Sequence, residues 1–145
     1  NKLWQVRHDA YWASLSLIPG SQGLTTDVCV PLSRLAECVE ATQADIEAAG
    51  LTAPIVGHVG DGNFHCLPLV PPDQPEMVKT IQEFSKRLSS RAIAMGGTCT
   101  GEHGIGQGKM DYLVEEIGEA IGAMRAIKQA FDPDNIFNPD KIFSR

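Results

Sequence analysis

The 145-residue sequence contains no apolar run approaching the ~20 residues needed to cross a bilayer. No basic-then-apolar leader stands at its start. A soluble protein without a transmembrane segment is therefore expected. Basic residues are in deficit, since 12 Lys and Arg against 18 Asp and Glu leave a net charge of -6. There is no Lys/Arg-rich patch either, which argues against nucleic acid as a partner. The four cysteines, Cys29, Cys38, Cys66 and Cys99, form no CxxC pair, so neither a zinc ribbon nor a disulfide framework is indicated. Buried, reduced thiols are the expectation. What remains is an acidic chain, 43% apolar and long enough for one domain with its own core. It begins with Asn and opens directly into helical sequence, and a segment of something longer is expected.

The most informative stretch is Pro54 to Val70, PIVGHVGDGNFHCLPLV, with a histidine on each side of Gly-Asp-Gly-Asn. Asp61-Gly62 suits a two-residue type I′ turn, whose central residues both need positive φ, and short β-prone flanks complete a hairpin signal. In that register His58 stands opposite His65, with Cβ atoms roughly 4.5–5.5 Å apart and the rings able to share one ion. Val56 and Leu67 fall on the histidine face, and Ile55, Gly57, Val59, Phe64 and Cys66 on the other. A lone histidine in a sheet is more often a hydrogen-bonded structural residue; two in register reverse that preference.

Apolar spacing predicts the surrounding elements. Leu3, Val6, Ala10, Ala13 and Leu17 share a helical stripe, with Trp4, Arg7 and Tyr11 on a second. Arg7 reads equally well as a snorkelling surface residue or as a bidentate carboxylate clamp. LTTDVCV (Leu24 to Val30) reads as a strand, and Leu32 to Gly50 as an amphipathic helix with Leu35, Ala36, Val39 and Ile46 inward. Asp73 and Glu76 suggest a capping box before a helix carrying Met77, Ile81, Phe84, Leu88 and Met95. Met110 to Ile117 and Ile121 to Phe131 read as two further helices broken at Gly118.

Glycine concentrates at Gly96 to Lys109, GGTCTGEHGIGQGK. The phosphate-loop pattern fails, because Met110 follows Gly108-Lys109 and His103 occupies the required glycine. The dinucleotide fingerprint fails as well, since Lys109 stands at the third glycine position. Glu102-His103, bracketed by glycines that let backbone approach a ligand, is then either an exposed polar pair or half of a site. With His58 and His65, Glu102 would complete a two-His, one-carboxylate set for zinc, manganese or iron. His103 would stand beside it as proton acceptor.

Three stretches in order, HVGDGNFH, GTCTGEHGIGQGK and MRAIKQAFDPDNIFNPDKIF, resemble the C-terminal domain of FAD-linked oxidases of the vanillyl-alcohol-oxidase type. The branch most resembled is that of cytochrome-linked D-lactate dehydrogenases. The resemblance implies an α+β cap domain with an antiparallel sheet, helices on one face and ferredoxin-like topology. It implies a flavin held mainly by a separate N-terminal domain not contained in this chain, and no activity for the chain alone. It further implies that His58, His65 and Glu102 bind a divalent metal, zinc or manganese, with His103 as catalytic base. Arg7 would grip the substrate carboxylate, and His103 and Asn138 would face the flavin. Glycolate oxidases and D-2-hydroxyglutarate dehydrogenases are neighbouring alternatives. The latter branch has lysine and asparagine where this chain has Thr25 and Leu67, and both serve a distal carboxylate. Leu67 instead gives an apolar wall, which favours a short 2-hydroxy monocarboxylate such as D-lactate. The implied electron acceptor is cytochrome c or a quinone, the expected assembly a homodimer, and the setting the bacterial cytoplasm or else the mitochondrion. A flavin-free zinc hydrolase using the same His2Glu set and a non-catalytic binding module are the competing readings from other classes.

Overall fold

The computed structural model describes residues 2–142, the side chains of residues 2–4 and 7 excepted. Helix α1 (Lys2–Leu15) leads into β1 (Gln22–Gly23) and β2 (Val28–Cys29). A single 3-10 turn at Leu32–Arg34 opens α2 (Leu35–Ala48), which is followed by β3 (Ile55–His58), β4 (Asn63–Cys66) and β5 (Leu69–Val70). Helices α3 (Met77–Ala94), α4 (Met110–Ile117) and α5 (Ala120–Phe131) complete the described chain.

The larger sheet has the order β2-β4-β3, all antiparallel, and an isolated antiparallel bridge from Cys29 to Thr98 adds a rudimentary strand beyond β2. Strand, helix, two strands, helix, strand, with the two crossovers placing the last element beside the first, is the ferredoxin-like arrangement. The α+β expectation with an antiparallel sheet is thus borne out. A small separate ribbon pairs β1 with β5.

One face of the larger sheet is sealed by α2 and α3. Val28, Val30, Phe64 and Cys66 from the strands pack with Cys38 and Ile46 of α2 and Ile81, Phe84, Leu88 and Ala92 of α3. Each large side chain removed from water here contributes about 1.5–3 kcal/mol. Asp45 of α2 ties the two helices by accepting from Arg87 at 2.7 Å and Arg91 at 2.8 Å. Three of the four cysteines are buried and all are free, as expected, and burial pushes the Cys66 and Cys99 thiols up to about 12.

Several local expectations are corrected. In α2 the buried face is Cys38, Thr42 and Ile46, while Leu32 and Ala36 lie exposed. The capping box does not form: Glu76 itself is the N-cap of α3 and makes no side-chain cap bond, because Pro75 leads the chain into the helix too late for Asp73 to cap it. The strand foreseen from Leu24 to Val30 shortens to Val28–Cys29. The apolar stripe foreseen on α1 does not face this chain's core, since Val6, and Leu17 just beyond the helix, are more than half exposed; that on α5 does so at its start, where Ile121 is buried, while Ile127 and Phe131 farther along are more than half exposed.

Candidate functional site

The hairpin β3-β4 presents its uncovered face opposite the helical layer. Its register pairs His58 with Asn63, Gly57 with Phe64, Val56 with His65 and Ile55 with Cys66. His58 is therefore not directly opposite His65; it faces Asn63, two positions earlier on β4. The connection is a four-residue loop, Val59 to Gly62, rather than a two-residue turn, and Val59 is exposed in it. The reason is tertiary. The Gly62 carbonyl accepts from Val30 N at 3.0 Å, and a Cβ at Gly62 would stand 2.1 Å from Val30 O. Docking against the chain beyond β2 draws Gly62 out of the turn centre, and the turn bond runs instead from Asp61 N to His58 O at 2.9 Å. A slip of two residues preserves the face. His58 and His65 remain neighbours on the diagonal, with ring centroids 5.8 Å apart and planes at 84°.

The glycine-rich loop after α3 delivers Glu102 to this pair. Glu102 Oε1 lies 2.6 Å from His65 Nε2 and 3.4 Å from His58 Nε2. One donor atom from each of the three residues falls within 4.8 Å of the others. His65 Nδ1 lies 3.1 Å from the Thr26 carbonyl. A carbonyl only accepts, so the ring donates from Nδ1 and turns Nε2 toward Glu102. Two donors of one tetrahedral zinc stand roughly 3.4 Å apart, the separation found between His58 and Glu102. The donor types of His58, His65 and Glu102, gathered within 4.8 Å of one another, suit a small divalent cation, although the 2.6 Å between His65 and Glu102 is closer than two zinc ligands stand.

His103 lies flat on His65, ring centroids 4.9 Å apart and planes 11° from parallel. Beside the stacked rings opens a cleft of about 200 Å³, walled by Pro54, Val56 and Leu67 on one side and by Ala10, Tyr11 and Ser14 of α1 on the other. Leu67, on the histidine face as its register parity requires, is 6% exposed. It is backed by Gly23, where a Cβ would come within 2.8 Å of Leu67 Cδ1. Thr25 sits at the cleft's edge.

The side chain of Arg7 lies outside the described residues; its backbone belongs to α1, one turn before Ala10 and Tyr11. Asn138 is exposed, adopts φ 44° and does not line the cleft. Its segment is led back toward the glycine-rich loop by a bond from Ile142 N to Gly106 O at 2.7 Å.

Sequence reasoning missed the residues that hold this arrangement. Asp27, read only as one member of an alternating strand, is 1% exposed and anchors the Glu102-His103 loop. Burial pushes its carboxyl up, but the amides of His103 and Glu102, the Thr100 hydroxyl and the nearby Lys109 outweigh that and hold it at about 2. Lys109 donates to the carbonyls of Asp27 at 2.9 Å and Cys99 at 2.7 Å, its own pKa lowered by burial against the pull of Asp27. Asn63 is 7% exposed and donates to Glu102 Oε1 at 3.3 Å. Its Oδ1 is buried with no hydrogen-bond partner among the described residues. A charge inside the apolar run VCV's strand was the available signal, since a buried carboxylate must find partners.

The whole described chain matches one family profile: FAD linked oxidases, C-terminal domain, over residues 1–142. The chain belongs to this family. Among curated relatives of this FAD-linked oxidase domain is the "Probable D-lactate dehydrogenase, mitochondrial" of Danio rerio, 50% identical over 98% of this chain and 29% of that protein. Another is the "D-lactate dehydrogenase [cytochrome], mitochondrial" of Arabidopsis thaliana, 42% identical over 97% of this chain and 25% of that protein. The chain thus spans between a quarter and three tenths of the length of these relatives. Among solved structures, a 4-ethylphenol oxidase from Gulosibacter chungangensis shares the fold at TM-score 0.69 and 20% identity, over 99% of this chain and 30% of that one.

Proposed function

We propose that this FAD-linked oxidase domain is the substrate-binding cap of a flavin-dependent D-2-hydroxyacid dehydrogenase, acting on D-lactate or a similarly short 2-hydroxy monocarboxylate. The observation that carries the reading is the meeting of His58, His65 and Glu102 beneath the stacked His103, at the mouth of an apolar cleft. His58, His65 and Glu102 would hold a divalent cation, which when bound supplies Lewis-acid polarisation of the substrate's hydroxyl. The flavin, held by a further domain of the full-length protein, supplies the hydride acceptor.

The chain's own residues do the rest. His103 takes the hydroxyl proton as general base. Arg7 on α1 clamps the carboxylate in bidentate fashion. Val56, Pro54 and Leu67 pack the aliphatic tail and exclude water, and a second carboxylate placed against Leu67 would lose hydration without gaining a partner. Membership in a flavin-linked family favours this reading over a flavin-free hydrolase built on the same His2Glu set. The names of the relatives favour a cytochrome-type electron acceptor and a mitochondrial setting over the bacterial cytoplasm.

The test is anaerobic mixing of the full-length flavoprotein with D-lactate. The flavin absorbance should bleach with D-lactate and not with L-lactate. Stripping with a chelator should abolish bleaching, and Zn2+ or Mn2+ should restore it. Full bleaching by a protein shown to be free of metal would sink the cation's role.

A further inference from the structure

The candidate site is built from two pieces of chain that nothing local joins: a hairpin carrying His58 and His65, and a loop carrying Glu102 and His103. One buried carboxylate spans the gap. Asp27 Oδ2 accepts from Thr100 Oγ1 at 2.7 Å, from Glu102 N at 3.0 Å and from His103 N at 2.8 Å. Thr100 Oγ1 in turn accepts from Gly104 N at 2.8 Å, so the whole Thr100 to Gly104 turn hangs from this group. Asp27 Oδ1 is buried with no hydrogen-bond partner among the described residues, and it lies 3.7 Å from His65 Nδ1. Lys109 Nζ stands 3.8 Å from Oδ2 and clamps the Asp27 and Cys99 carbonyls, closing the loop's far end onto the same point.

We infer that Asp27 is a positioning residue for the site: one oxygen suspends the turn that presents Glu102 and His103, and the other faces the protonated nitrogen of His65. The inference rests on the reading that His58, His65 and Glu102 hold a cation. Asp27 touches neither substrate nor cation, and acts by fixing Glu102 to His65 and His103 over it. A carboxylate suits this duty because backbone N–H bonds to an ionised acceptor are roughly twice as strong as to a neutral one. Groups that orient ligands in this way typically change metal affinity by about 10–100-fold.

The experiment compares Asp27→Asn with Asp45→Asn in the full-length flavoprotein. Asp45 is a partly buried, ion-paired carboxylate between α2 and α3, remote from the site, and controls for lost stability. Zn2+ affinity is read by chelator competition, and kcat and KM for D-lactate are read separately. Asp27→Asn should weaken Zn2+ by about 10–100-fold and lower kcat by on the order of 100-fold, since small misplacements of a catalytic group have that effect. KM should stay within about threefold, because Pro54, Val56, Leu67 and the α1 side of the cleft are untouched, and Asp45→Asn should leave Zn2+ affinity and kcat unchanged. Equal Zn2+ affinity and equal kcat in folded Asp27→Asn would overturn the inference. If that variant is recovered only unfolded, Thr100→Val carries the test. It removes one donor to Oδ2, and unchanged Zn2+ affinity there overturns the inference equally. Wild-type protein that binds Zn2+ no better than His65→Ala would fail the cation reading instead, while the kcat of Asp27→Asn still judges Asp27.

Discussion

The imidazole of His103 lies parallel to that of His65 at a centroid distance of 4.9 Å, although its backbone is held elsewhere, by the bond from His103 N to Asp27. Ring and backbone can therefore be tested apart. His103→Ala keeps the amide that suspends the loop and removes only the proposed base. It should cost roughly a hundred- to ten-thousand-fold in kcat in the full-length flavoprotein, the usual range for general acid–base groups. Zn2+ content, measured on the same preparation, should be unchanged. Unaltered turnover would end the assignment of His103 as base.

Leu67 should govern tail selection. Leu67→Asn places an amide where the cleft is now apolar, and some stability will be lost because the leucine is buried against Gly23. The informative quantity is therefore a ratio. The kcat/KM for D-lactate divided by that for D-2-hydroxyglutarate should fall by about tenfold or more, the scale on which one side-chain contact discriminates. A ratio that stays put would show that the cleft beside His65 does not receive the tail.

Acid should loosen the helical layer through Asp45. Burial raises its carboxyl, but the bonds and charges of Arg87 and Arg91 prevail and hold it below its ordinary value of 3.8. Its folded-state pKa is depressed, so its contribution is fully present above that ordinary value and is lost as pH falls toward the depressed one. Urea midpoints recorded at descending pH should drop below pH 4 in the wild type. The drop should be shallower in Asp45→Asn, and parallel curves would refute the assignment.

Much of this was readable beforehand, and the failures share a cause. The face carried by His58, His65, Val56 and Leu67 follows from strand parity, which survives a two-residue slip. The turn itself was misread because Asp61-Gly62 chemistry is local, whereas the pull of Val30 on Gly62 comes from a residue 32 positions earlier. Asp27 escaped for the same reason, since its partners lie between Thr100 and Lys109. The stripe on α1 and the later part of that on α5 were legible as apolar faces, but periodicity says that a face needs cover and not where the cover comes from.

Gly62 offers the plainest structural test. Its φ of 75° strains any L side chain by about 1–2 kcal/mol, and a Cβ would sit 2.1 Å from Val30 O. Gly62→Ala should destabilise the protein by at least about 2 kcal/mol in chemical denaturation. A loss under about 0.5 kcal/mol would mean that the hairpin can detach from its neighbour at little cost.

Gly97 mirrors that contact on the far edge of β2, where a Cβ would meet Cys29 O at 2.1 Å. The chain at Cys29-Val30, where β2 ends, is thus approached by glycine backbone from both sides. Asp27 lies two residues before Cys29 on the same segment. Two methyl groups, neither of them near the candidate centre, would suffice to push on the segment that carries Asp27 into it.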